Sequence, residues 1–121
     1  MTAEIVIMNK HGVALAADSA VSVGTQKVYN TANKLFSLSK SHPVGIMIYG
    51  NATFMGIPWE TIIKKYRKDH LQRNSFDTLK EYSDDFLNYL STSDIISTKT
   101  EDFFIKGRIT TITKKLVMVI R

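Results

Sequence analysis

The chain has 121 residues, of which 44% are apolar and 22% charged, with a formal charge of +5 and no cysteine. That length and balance imply a single ordered globular domain and exclude an intrinsically disordered chain. No apolar run reaches the roughly 18–20 residues that span a bilayer, and no basic segment followed by an apolar block marks a secretory leader, so no membrane partner is expected. Without cysteine there is no disulfide, thiolate metal site or cysteine nucleophile, which accords with an expected cytoplasmic location.

The first half reads as strands. Ile5 to Met8 is a short apolar run, Lys10-His11-Gly12 is a turn, and Val13 to Ala17 is a small-residue strand ending at Asp18-Ser19. This pattern predicts an antiparallel hairpin, and its nearly continuous apolarity predicts burial on both faces. A further extended stretch runs through Val21, Val23 and Val28-Tyr29, broken at Gly24. Lys34 to Ser39 alternates with period two, placing Phe36 and Leu38 on one face and Leu35, Ser37 and Ser39 on the other. Ser41-His42-Pro43 is a turn, and Val44 to Tyr49 is the most apolar strand, stopping at Gly50-Asn51. Antiparallel strands are therefore expected within residues 3–50 and helices after 51, an α+β arrangement.

The period then changes. Trp59, Ile62, Ile63 and Tyr66 recur at i, i+3, i+4 and i+7, one face of a helix, with Pro58 either in its first turn or kinking a longer helix that starts near Asn51. Asn74-Ser75 is the expected N-cap of a second helix with Phe76, Leu79, Tyr82, Phe86, Tyr89 and Leu90 on its apolar side, and Asp77 suits its first turn. Residues 91–121 carry a weaker signal: short apolar patches at Ile95-Ile96 and Phe103 to Ile105, a block from Leu116 to Ile120, and six basic residues against two acidic ones after position 98. That segment reads as a basic tail. A solvated face accounts for it better than nucleic-acid binding, because no RNP-like aromatic pattern, zinc spacing or Gly-rich phosphate loop accompanies it. Two helices cover only one face of a sheet that is apolar on both, which implies a domain completed by further residues or by another chain.

Three residues form a candidate site. Removal of Met1 leaves Thr2 with a free α-amine, so a hydroxyl nucleophile and a base whose pKa lies near 8 sit on one carbon. Many chains begin Met-Thr without such chemistry, and Thr2 alone carries little. Asp18 ends a strand, where a carboxylate either pairs with a cation or caps the turn through neighbouring amides. Lys34 opens another strand; an ammonium there is either a surface group or one that lowers the pKa of a neighbouring amine and hydroxyl. A hairpin of the expected length returns Asp18 to the level of Thr2, so that these positions can share one sheet edge.

With Thr2, Asp18 and Lys34 spaced by sixteen and thirty-two residues from Thr2, and with His11-Gly12-Val13, Ala16-Ala17-Asp18-Ser19 and Gly24 between them, the chain resembles the proteasome β-type subunits and HslV-like bacterial peptidases. Both belong to the N-terminal nucleophile (Ntn) hydrolases. The resemblance covers residues 2–90 of a single domain spanning 1–121, and it implies an αββα four-layer sandwich, incomplete in this chain. It further implies catalytic roles for Thr2, Asp18 and Lys34 and an oxyanion-binding amide at Gly50, with peptide or amide substrates, stacked homo-oligomeric rings and no metal or organic cofactor. A regulatory partner is left unspecified. Ala20 stands where family members often carry arginine, Asn51 follows Gly50 in place of a small residue, and nothing after Ser91 matches the family's supporting serine and aspartate-serine pair. The alternative is a truncated or inactive relative acting as a structural or assembly protein.

Overall fold

The computed structural model describes the backbone of residues 3–23, 26–29 and 32–120, and the side chains of 3–20 and 32–111. Strand β1 (Glu4–Asn9) pairs antiparallel with β2 (Gly12–Ala17), in register from Glu4↔Ala17 to Asn9↔Gly12. The turn at Lys10-His11 is locked by Asn9, whose Oδ1 accepts from the His11 and Gly12 amides at 2.8 and 3.0 Å, the local bonding that makes asparagine a turn residue. The expected hairpin is present. Its expected burial is not: Ile5, Val6, Ile7, Met8 and Val13 are all at least half exposed, on both faces of the ribbon. A two-stranded ribbon has no apolar layer of its own, and no described element covers these residues.

Strands β3 (Val21–Val23) and β4 (Gln26–Tyr29) form a second antiparallel pair with a register shift at Val21/Ser22. The expected break at Gly24 lies outside the described residues. The third pair joins β5 (Leu35–Ser37) to β6 (Gly45–Met47) with Phe36 opposite Ile46. Two flanking bonds lengthen it: the Leu38 amide donates to Val44 and the Ile48 amide to Lys34. Period-two alternation holds from Leu35 to Leu38, since Phe36 and Leu38 are buried while Leu35 and Ser37 are exposed, but it ends at Ser39, which was expected on the face of Ser37 and is buried in the turn. A fourth pair, β7 (Thr53–Phe54) with β8 (Ile57–Pro58), falls beyond residue 50, where only helix was expected. Met55 and Gly56 link it with φ of 49° and 79°, the two positive values that a tight two-residue hairpin loop demands. Met lacks the usual Asn or Gly signature for that turn, which hid the hairpin.

Helix α1 (Trp59–Asp69) starts directly from β8, with Pro58 as an extended N-cap residue, neither within the helix nor kinking it. Its Ile62, Ile63 and Tyr66 are fully buried, as their spacing requires. Helix α2 (Leu79–Thr92) begins later than expected. Thr78, and not Asn74 or Ser75, caps it: the Thr78 hydroxyl accepts from the Glu81 amide while the Glu81 carboxylate accepts from the Thr78 amide. Glu81 accordingly takes the place in the first turn expected of Asp77. Tyr82 and Phe86 are buried, but Leu79 points to solvent. The core formed by Phe36, Leu38, Ile62, Ile63, Tyr66, Leu71, Tyr82 and Phe86 holds α1 and α2 against the β5–β6 pair.

Three polar contacts tie α2 down. Tyr66 Oη donates to Asp85 at 2.7 Å, His70 Nε2 lies 3.0 Å from the same carboxylate, and His42 Nδ1 meets Tyr82 Oη at 2.9 Å. Burial first, then the carboxylate beside it, raises the Tyr66 phenol well above its ordinary range. Residues 98–120, read as a basic tail, form helix α3 (Thr98–Ile120). Among its described side chains 101–111 are all exposed, as a helix without an apolar stripe must be, although Phe104 reaches Gly56. The whole is a small mixed α/β chain: three helices and four short antiparallel strand pairs among the described residues. No described helix is long and apolar enough to cross a membrane.

Candidate active site

The hairpin and the β5–β6 pair meet through one close approach. Leu15 of β2 projects over Gly45 of β6 so tightly that a Cβ on Gly45 would lie 2.5 Å from Leu15 Cδ1. A glycine inside an otherwise apolar strand is a sequence signal for this kind of approach. With Leu15 seated there, Asp18, three residues on and just past the end of β2, arrives beside the start of β5. Backbone bonds fasten the junction. The Ala32 amide donates to Ser19 at 3.2 Å, and the Lys34 carbonyl accepts from Ile48 at 2.9 Å.

Lys34 is therefore held from both sides and is 6% exposed, which removes the reading of it as a surface lysine. Its Nζ donates to Asp18 Oδ1 at 2.7 Å and to the Ala20 carbonyl at 2.6 Å. A buried ammonium requires such partners. Asp18 is one-third exposed, and its carboxyl is held below the ordinary aspartate range, chiefly by the hydrogen bond from Lys34, against a smaller desolvation effect. The Asp18 backbone amide donates to the Ala3 carbonyl at 3.0 Å, so its carboxylate is turned to the lysine instead of capping its own turn.

Thr2 lies outside the described residues. Its covalent neighbour Ala3 is fixed by that bond to Asp18, at the end of the ribbon where Lys34 sits. Gly50 follows Ile48 by two residues, beyond the strand end that pairs with Lys34. Its φ is +77°, a conformation glycine adopts without strain, and its N–H has no acceptor among the described residues. Asp18 and Lys34 are thus brought into contact, and Gly50 lies at the same end of the β5–β6 pair.

Three contributors escaped sequence reasoning. The Ala20 carbonyl is a backbone group with no side-chain signature. Asn33, next to Lys34, donates to Glu60 at 3.0 Å and ties the strand start to the first turn of α1. Glu4, opposite Ala17, buries Oε1 without a hydrogen-bond partner among the described residues at the same end of the ribbon. Among the described residues no cluster of His, Asp or Glu is arranged to hold a metal ion. No protein-family model, curated protein or solved structure matches this chain.

Proposed function

We propose that this chain is an N-terminal threonine hydrolase of the proteasome-like kind, cleaving peptide or amide bonds, with a fold that is part of the αββα four-layer sandwich. The observation that carries the reading is the buried Lys34 ammonium, clamped by Asp18 at the end of the hairpin where Ala3, the residue that follows Thr2 in the chain, is hydrogen-bonded. A desolvated cation needs a reason to be there, and activation of an adjacent amine and hydroxyl supplies one.

In this mechanism the Thr2 Oγ attacks the substrate carbonyl carbon and its proton passes to the Thr2 α-amine. The oxyanion accepts a hydrogen bond from the Gly50 N–H. Collapse of the tetrahedral species breaks the C–N bond, and the leaving amine takes the proton from the Thr2 ammonium. Water, deprotonated by the same amine, then hydrolyses the ester and restores the hydroxyl. Lys34 is a positioning residue: its charge keeps the amine neutral, and Asp18 balances that charge.

The experiment is intact mass spectrometry with a peptide epoxyketone, which bonds to both the hydroxyl and the amine of an N-terminal threonine. Loss of Met1 with one adduct, absent in Thr2→Ala, supports the mechanism. Retained Met1 locks the base in an amide and refutes it. A second reading, a structural or assembly subunit without activity, is favoured by the exposed apolar ribbon of Ile5 to Met8 and Val13. Loss of Met1 without an adduct, from a chain that self-associates, would favour that reading. The homo-oligomeric state belongs to both.

A further inference from the structure

Away from the Lys34 site, a cavity of about 470 Å³ opens between the β5–β6 turn and one face of α1. Lys64, Arg67 and Lys68 line it from the helix at i, i+3 and i+4, Leu71 lines it from just beyond the helix end, and Lys40 faces them from the turn. Leu38 and Leu71 form a buried apolar floor. No carboxylate lines it. Glu60 neutralises Lys64, but Lys40, Arg67 and Lys68 have no carboxylate within ion-pair distance among the described residues.

Basic residues in the last turn of a helix complement its dipole, which accounts for Arg67 and Lys68 in part. It does not account for Lys40, which comes from another segment, or for the posture of Arg67. One guanidinium N–H of Arg67 donates to the Ser37 carbonyl at 3.0 Å, fixing the group at the cavity while its other donors make no hydrogen bond among the described residues. The turn is also built rigidly: buried Ser39 Oγ accepts from the Ser41 and His42 amides, each at 3.2 Å. Three cations without ion-pair partners among the described residues, gathered around one open cavity, repel one another, and a single carboxylate would leave most of that charge uncompensated. A multiply charged anion removes the repulsion, and an anchored guanidinium fork matches phosphate oxygens.

We propose that this cavity binds the phosphate or polyphosphate group of a small molecule, with Arg67, Lys68 and Lys40 as its cationic contacts. The proposal is independent of the hydrolase reading. The test is calorimetric titration of the full chain with inorganic tripolyphosphate at low salt. Saturable one-to-one binding is expected, weakened about tenfold or more in Arg67→Ala/Lys68→Ala, the loss of roughly one charge-assisted hydrogen bond. Lys40→Ala, in an exposed turn, should weaken it as well without touching the helix. Lys10→Ala/Lys99→Ala removes equal charge from residues that do not line the cavity and should leave affinity within about twofold. Equal weakening in both double variants would mean unspecific attraction to a basic chain and overturns the site, as does binding that never saturates. Tighter binding of an acidic peptide at the same residues would make the cavity a docking point for protein and also overturns it.

Discussion

Replacing Lys34 with methionine keeps an unbranched stem of similar length and deletes the ammonium. Two charge-assisted hydrogen bonds vanish, to Asp18 at 2.7 Å and to Ala20 at 2.6 Å. Bonds of that type contribute about 1.5–3 kcal/mol each. Burying the ammonium of a residue only 6% exposed opposes them by several kcal/mol. The net loss for Lys34→Met is therefore about 2 kcal/mol, near 8 °C in melting temperature for a domain of this size. Urea unfolding followed by circular dichroism measures it. The pH dependence separates this cause from lost packing. Because Lys34 holds the Asp18 carboxyl below its unfolded value near 3.8, the unfolded state binds more protons in the interval between the two values. The stabilisation is complete above the unfolded value and drains away as pH falls through the lower folded one. The gap between wild type and Lys34→Met should thus narrow below about pH 4. A gap that stays constant on acidification, or a loss at pH 7 under about 0.5 kcal/mol, would refute the ion-pair account.

Gly45→Val should cost about 1–3 kcal/mol, because Leu15 must leave its seat, and thermal unfolding should show it together with faster amide exchange in β2. Tyr66→Phe deletes the fully buried donor to Asp85 and should lower stability by about 1–2 kcal/mol, read in urea, with the helical circular dichroism signal retained. Thr78→Ala removes the side-chain half of the capping box and should cost about 1 kcal/mol, whereas Ser75→Ala, at the position first expected to cap, should be neutral.

The parts of the fold legible in the sequence are those governed by a period. Phe36 and Leu38 alternate into the core, and Ile62, Ile63 and Tyr66 recur at helical spacing, so each reports its partner face directly. The parts that were missed depend on a competition that periodicity does not record. Thr78 outcompetes Asn74 and Ser75 because only Thr78 has Glu81 three residues ahead to close the reciprocal pair. Helix α3 forms where no apolar stripe announces one, and its exposed Phe103 and Ile109 are the consequence. The β1–β2 ribbon errs in the opposite sense. Its composition correctly indicates strands, but composition cannot say whether anything lies on top of them.

That distinction bears on the site as well. The hairpin rise made Asp18 legible only relative to Thr2, and Lys34 joined them through the spacing that the family resemblance supplied. The contact itself depends on something less visible, the missing side chain at Gly45 that lets Leu15 settle and brings the end of β2 to the start of β5. Lys34 is nearly inaccessible, hydrogen-bonded to a backbone carbonyl and balanced by a carboxylate one-third open to solvent, so the cost of burying its charge offsets much of what its hydrogen bonds contribute. The buried charge beside the Ala3 end of the ribbon is what motivates the proposed chemistry at Thr2, and the Thr2→Ala comparison tests that proposal directly.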